Sequence, residues 1–140
     1  MTIISTDTQR LSNLIKATDA FYKPEMCNAL VTANEVAAAT YKVGTVLGKI
    51  TASGKYIRSV QTAVDGSQVP AAIFIADSFG NNLSTPIVAA TDTKVLVLIR
   101  GKVIVSAFAL DLDASFTAGA LTVAAYASLA TQGILVEVAA

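Results

Sequence analysis

Asp111 and Asp113 are the side chains whose type and spacing come nearest to a catalytic motif in this chain. The run Asp111-Leu-Asp-Ala-Ser115 follows an apolar stretch. Two carboxylates placed in this way could serve as nucleophile and general acid/base of an aspartate-dependent phosphatase. Such an enzyme needs a parallel sheet and a longer chain than these 140 residues. The favoured interpretation is therefore two solvated acids beside the start of a helix.

Other reactive groups are scarce. The chain has no histidine, which removes the commonest general base and metal ligand. The segment from Gly44 to Ile50 fails as a phosphate-binding loop, because only three residues separate Gly44 from Gly48 and Ile50 replaces the magnesium-binding Ser or Thr. Cys27 is the single cysteine, which excludes an intrachain disulfide. We predict no catalytic residue, no cofactor and no metal ligand.

The composition favours a protein that associates with others. Hydrophobic residues make up 54% of the chain and charged residues only 14%, with a net charge of zero. A surface so neutral and so apolar promotes association. Residues 1–60 carry a charge of +3 and residues 61–140 a charge of −3, which fits either charge-complementary docking or scattered solvated side chains. No basic block interleaved with aromatic residues indicates nucleic-acid binding.

The chain divides into an N-terminal arm at 1–34 and a β domain at 35–140. In the arm, Leu11, Leu14 and Ile15 recur at helical spacing, which predicts either a short amphipathic helix or an extended segment that orders against a neighbour. Phe21 and Tyr22 are apolar anchors that could pack on a partner or on their own domain.

The β domain is predicted from short β-branched segments separated by turn residues. Gly44 and Gly48 are expected at a turn and a bulge, and Asp65-Gly66 in a hairpin turn. The alanine-rich stretch 117–131 predicts one short helix that ends at Gly133. The fold class is therefore mainly β: a jelly-roll-like sandwich or barrel with one short C-terminal helix and an extended N-terminal arm.

Two features bear on localisation. The N-terminus lacks the basic and then apolar pattern of a secretory signal, so we expect synthesis and retention in the cytoplasm. The apolar stretch 95–110 is interrupted by Arg100 and Lys102 and is shorter than the ~20 residues of a spanning helix. Two buried strands joined by a turn explain it better, and no membrane partner is expected.

An ordered set of glycine-punctuated segments carries a family resemblance. The segments are Tyr41-Lys-Val-Gly-Thr-Val-Leu-Gly-Lys-Ile50, Gly54-Lys-Tyr56, Asp65-Gly-Ser-Gln68, Val95-Leu-Val-Leu-Ile-Arg-Gly101 and Gly133-Ile-Leu-Val136. Over about Val36 to Val138, the chain resembles the head decoration (cement) proteins of tailed bacteriophages with HK97-type capsids.

The resemblance implies a structural virion protein and not an enzyme. We expect it to bind the outer surface of the capsid, to bridge neighbouring major capsid subunits and to form a dimer or a trimer. The candidate contacts with the capsid or with another subunit are Leu11, Leu14, Ile15, Phe21 and Tyr22. Another self-assembling phage component, such as a tail-tube or fibre protein, is the alternative.

Overall fold

The computed structural model describes residues 15–18, 28–77, 84–100, 103–107, 109–116 and 119–137. These residues form a mainly β structure with one α-helix near the C-terminus, which confirms the predicted fold class. The strands, numbered along the chain, are β1 Ile15–Thr18, β2 Asn28–Ala33, β3 Ala39–Lys42, β4 Val46–Lys49, β5 Tyr56–Arg58, β6 Pro70–Asp77, β7 Ser84–Ile87, β8 Thr93–Leu98, β9 Val103–Ser106 and β10 Ile134–Glu137. Helix α1 spans Gly119–Ala130.

Five strands close into a barrel in the order β2-β5-β4-β6-β8. β8 pairs antiparallel with both β6 and β2, and the β2 pairing runs from Asn28 opposite Leu98 to Ala33 opposite Thr93. A parallel contact between Ala33 and Tyr56 joins β2 to β5 and completes the ring. Although the sequence analysis assigns residues 1–34 to an arm, Asn28–Ala33 thus belongs to the barrel.

The barrel wall separates two apolar clusters, because successive side chains of a strand point to opposite faces. From β6 and β8, Phe74, Val95 and Val97 belong to one cluster, while Ile73 and Leu98 belong to the other. The inner core consists of Ala33, Tyr41, Leu47, Ala72, Phe74, Ile87, Val95 and Val97. The outer core consists of Val43, Ile73, Ile75, Ala76, Leu98, Val103, Val105, Leu129 and Ile134.

A second layer covers the outer core. β9 lies in the middle of a three-stranded sheet, antiparallel to β1 and parallel to β10. Val103 and Val105 of β9, Ile134 of β10 and Leu129 of α1 are fully buried in that core. The cover of the outer core that the structure describes therefore comes from elements that follow the barrel strands in the sequence.

The remaining sheet pairs β3 with β7 and contributes to the inner core. Tyr41 of β3 and Ile87 of β7 are buried there, and the alternate residues Thr40 and Pro86 are exposed. The Tyr41 ring meets Phe74 edge to face, with centroids 5.6 Å apart and planes at 63°. This geometry is favourable for an aromatic pair, so the small sheet is packed firmly on the barrel.

Gly44 and Gly48 have the predicted roles of turn and bulge. Gly44 has φ of +101°, and a Cβ there would lie 2.0 Å from the carbonyl oxygen of Ala109. The β4–β6 register shifts between Leu47 and Gly48. A Cβ on Gly48 would lie 2.0 Å from the carbonyl oxygen of Ser67. Both glycines therefore allow another backbone segment to approach β4 closely.

At the N-terminus, the extended form of the arm is observed where the structure describes it. Ile15–Thr18 is a strand and not part of a helix, so the helical alternative is wrong at Ile15. Its partner strand is β9 of the same chain. Among the described residues, no helix has the length and apolar character to cross a bilayer.

Candidate functional site

The predicted contact residues belong to the N-terminal part of the chain. Leu11, Leu14, Phe21 and Tyr22 lie outside the described residues. Ile15 is the first residue of β1, where its backbone lies opposite Val105 of β9. The structure thus places one of these five positions in the outer sheet.

Asp111 and Asp113 come together around Arg58 of β5. The Arg58 Nη1 and Nη2 atoms each donate to one oxygen of Asp111 at 3.0 Å, while Nε lies 3.5 Å from Asp113 Oδ1. A bidentate arginine–carboxylate pair is geometrically specific and stronger than a neutral hydrogen bond. Both acids therefore have a structural partner that sequence spacing did not reveal.

The electrostatics of this cluster favour the ionised state of all three groups. Hydrogen bonds from Arg58 lower the pKa of Asp111 and overcome the opposing effect of burial. Burial also acts to raise the pKa of Asp113, but hydrogen bonds from Ser115 and the charge of Arg58 outweigh it and the pKa is lowered. The same hydrogen bonds with Asp111 raise the pKa of Arg58.

Backbone bonds add to this connection. The Asp111 N–H donates to the carbonyl of Gly44 at 2.9 Å, and the Val46 N–H donates to the carbonyl of Asp111 at 3.2 Å. The segment between β9 and α1 is thus fixed to the barrel by main chain and side chain together. Among the described residues, no three acidic, cysteine or histidine side chains form a group able to hold a metal ion.

A second polar contact lies beside this cluster at Glu35. Its carboxylate is buried and accepts hydrogen bonds from the Tyr41 hydroxyl and from the Arg58 N–H. Burial and the bond to Glu35 raise the pKa of Tyr41, so this hydroxyl stays protonated at neutral pH. The Glu35 carbonyl also accepts the Ala90 N–H at 2.7 Å. Glu35 therefore holds two surface loops, 36–38 and 88–90, against the barrel.

These loops and the neighbouring ends of β3 and β7 form an exposed apolar surface. Val36 is 85% exposed and Val88 is 64% exposed. An open hollow of about 480 Å³ is lined by Ala38–Thr40 and Pro86–Val88. The β3–β7 apolar surface, as we name it, comprises the exposed residues Val36, Ala37, Ala38, Pro86, Val88, Ala89 and Ala90. None of them is charged, which makes this surface a candidate interaction site.

This surface was not predicted from the sequence. The runs Val36-Ala-Ala-Ala39 and Pro86-Ile-Val-Ala-Ala90 are both apolar and uncharged. Apolar runs are first assigned to a core, and only the pairing of β3 with β7 shows that these two lie side by side. The one local indication of this surface was that the nine residues of the two runs include no charged side chain.

The chain matches a known protein family. The family described as Bacteriophage lambda head decoration protein D matches residues 21–134 of the 140-residue chain. The chain belongs to this head decoration family. A search of curated proteins found no match.

The family assignment agrees with the resemblance drawn from the glycine-punctuated segments. It establishes a phage head decoration protein, which is a structural component of the virion capsid. The matched range includes Phe21 and Tyr22 and the whole β3–β7 apolar surface. Leu11, Leu14 and Ile15 precede the matched range.

Proposed function

We propose that this head decoration protein binds the outer surface of an HK97-type capsid and cements neighbouring major capsid subunits. In that position it stabilises the DNA-filled head. The observation that carries the proposal is the family match over residues 21–134. The proposal includes synthesis in the host bacterial cytoplasm before attachment to the head.

The surface chemistry supports attachment by apolar contact. The β3–β7 apolar surface has no charged member, and the net charge of the chain is zero. The residues of this surface offer no charge to pair with the capsid, so burial of apolar area supplies most of the binding free energy of this contact. Because a capsid presents the same contact many times, copies that also bind one another gain strength through multiple attachment.

The N-terminal arm supplies the second contact in this proposal. Leu11, Leu14, Ile15, Phe21 and Tyr22 are its apolar anchors on the major capsid protein or on another copy in a dimer or trimer. In the described part of the chain, β1 is paired on one side only, by β9. Its other edge can accept a strand, since the backbone groups of an edge strand are open to pairing.

Co-sedimentation with expanded, undecorated capsids tests the proposal. The wild-type protein should pellet with the capsids and reach saturation. Replacing both Val36 and Val88 by Asp should reduce the affinity at least about tenfold, since two charges would have to be buried in the contact.

The matched control replaces both Val64 and Val123 by Asp, which places the same two charges at positions that are 95% and 66% exposed. This variant should bind as the wild type does. If the wild type did not pellet, the proposal would be wrong. Equal loss in the control variant would reject the assignment to the β3–β7 apolar surface alone.

A further inference from the structure

The loop that contains Asp65, Gly66, Ser67 and Gln68 is packed tightly against β4 and its continuation. The Thr51 N–H donates to the carbonyl of Asp65 at 2.9 Å. The Ser67 carbonyl accepts the hydroxyl of Ser59 at 2.7 Å, and both serines are 1% exposed. The missing side chain of Gly48 gives this carbonyl room to approach β4. The loop is therefore packed and hydrogen-bonded against the barrel, and it is not the simple hairpin turn that the sequence predicted.

Gly66 cannot be exchanged for another residue without displacement of its neighbours. Its φ is +102°, a value that favours glycine. A Cβ at this position would lie 2.1 Å from Thr51 Oγ1 and 3.1 Å from the carbonyl oxygen of Lys49. The packing therefore requires glycine directly after Asp65.

That requirement creates a chemical weakness, because an aspartate followed by glycine is prone to isomerisation. The Gly66 nitrogen attacks Cγ of the protonated Asp65 side chain, forming a carbon–nitrogen bond. The carboxyl hydroxyl and the amide proton leave as water, which gives a cyclic succinimide. Water then opens the ring at either carbonyl and yields aspartate or isoaspartate. The two steps consume and release one water and need no further reactant.

The two reacting groups, the Gly66 N–H and the Asp65 carboxylate, are both hydrogen-bonded in the folded loop. The Gly66 N–H donates to Gln68 Oε1 at 2.9 Å. Asp65 Oδ1 accepts the Ser67 N–H at 3.0 Å and the Ser67 hydroxyl at 2.5 Å. Cyclisation has to break these bonds, because the nitrogen must lose its proton and the carboxylate must turn and accept one.

We propose that Asp65 is a latent isoaspartate site, and that Gln68 and Ser67 suppress its isomerisation as long as the loop stays closed. The bonds from Ser67, first from its hydroxyl and then from its N–H, also lower the pKa of Asp65 and so reduce the protonated form that reacts. Asp65 itself is exposed, so water is present to open the ring once it has formed.

The consequence concerns the durability of the protein. Isoaspartate carries the main chain through Cγ and lengthens it by one carbon atom. With that insertion, Ser67 no longer fits between Ser59 and Gly48, so a loop that has reacted cannot close again. A virion protein is not replaced after assembly, and protection of this bond helps the decorated head to last. This inference is independent of which capsid surface the protein binds.

The test is the rate at which isoaspartate forms during prolonged incubation of the full-length protein at neutral pH. Since the two isomers have the same mass, it is measured on the tryptic peptide 59–94 by chromatographic separation of the isomers and electron-transfer fragmentation in the mass spectrometer. Folded wild-type protein should react at least about tenfold more slowly than the same protein in urea, since several hydrogen bonds must open first. Gln68→Leu should accelerate the folded reaction about fivefold.

Gln61→Leu is the matched control. Gln61 and Gln68 both line a pocket beside Phe116, but the Gly66 N–H donates to the side chain of Gln68 and not to that of Gln61. The control variant should leave the rate unchanged. Equal rates in folded and urea-unfolded wild type would overturn the proposal, and this comparison holds even if the Gln68 variant fails to fold. A folded Gln68→Leu protein that reacts at the wild-type rate would remove Gln68 from the mechanism.

Discussion

The inner and outer cores share two strands but are closed in different ways. Inside the barrel, the buried members run from Ala33 to Val97, so one stretch of the sequence supplies all of them. The outer core uses the opposite faces of β6 and β8, and its cover comes from β9, β10 and α1. β1 joins the same outer sheet from the N-terminal side.

The two cores therefore differ in which segments of the chain they need. Residues 33–97 supply the inner core, whereas the outer core also needs elements that follow the barrel strands in the sequence. The barrel itself closes through a distant pairing, that of β2 with β8, and it carries the β3–β7 apolar surface on top of its own core. The second layer is joined to the barrel in part by the cluster of Arg58 with Asp111, whose partners are 53 residues apart. Local stability varies across a structure in this manner, and a layer with fewer contacts opens first.

Replacing Phe74 by Ala should have the largest effect on stability. Phe74 is fully buried in the inner core and packs edge to face on Tyr41. Its loss leaves a cavity inside the barrel and should lower the free energy of unfolding by about 4 kcal/mol. Urea denaturation measures this, with Leu30→Ala as control, since Leu30 is 53% exposed on β2. A smaller loss than that from Leu129→Ala would reverse the ranking of the two cores.

Truncation of Leu129 to Ala should separate the two cores. This side chain of α1 is fully buried in the outer core. We expect a loss of about 3 kcal/mol. Amide hydrogen exchange should accelerate more in β9 and β10 than in β2 and β8, because the barrel retains its own core. Leu135→Ala, at a position that is 53% exposed, is the control. Uniform acceleration across all strands would show that the layers unfold as one unit.

Substitution of Arg58 by Met should have the smallest effect of the three. It leaves Asp111 and Asp113 without their cation and should cost about 2 kcal/mol at neutral pH, a figure reduced because both carboxylates are partly exposed to solvent. The folded pKa of each acid lies below its unfolded value. The stabilisation is therefore present above about pH 4 and is lost as the pH falls through the folded pKa values.

Denaturation of both proteins over a series of pH values measures this effect. The stability difference between wild type and the Arg58→Met variant should be constant near neutral pH and shrink in acid. A difference that stayed the same in acid would assign the role of Arg58 to the packing of its side chain instead.

The local parts of the fold could be predicted from the sequence. Glycine adopts backbone conformations that other residues avoid. The turn at Gly44 and the bulge at Gly48 could therefore be predicted from the positions of these residues in the sequence. The helix was predicted because Leu121, Ala125 and Leu129 recur at four-residue spacing, and its end followed from Gly133, which has φ of +85°. These features depend on residues close together in the chain.

The long-range parts could not be predicted in the same way. Ala39–Lys42 begins with alanine, which has little preference for strands, and it is the pairing with β7 that makes this segment extended. The arm boundary was placed six residues beyond the start of β2, since nothing local shows that Asn28–Ala33 completes a barrel with β8. The same reason hid the partnership of Arg58 with Asp111.

The account as a whole rests on attachment of this protein to the outside of the phage head. Cryo-electron microscopy of virions with and without the protein, followed by a difference map, tests this most directly. We predict added density on the outer capsid surface that bridges neighbouring major capsid subunits. Difference density confined to the tail or to the interior of the shell would contradict the account.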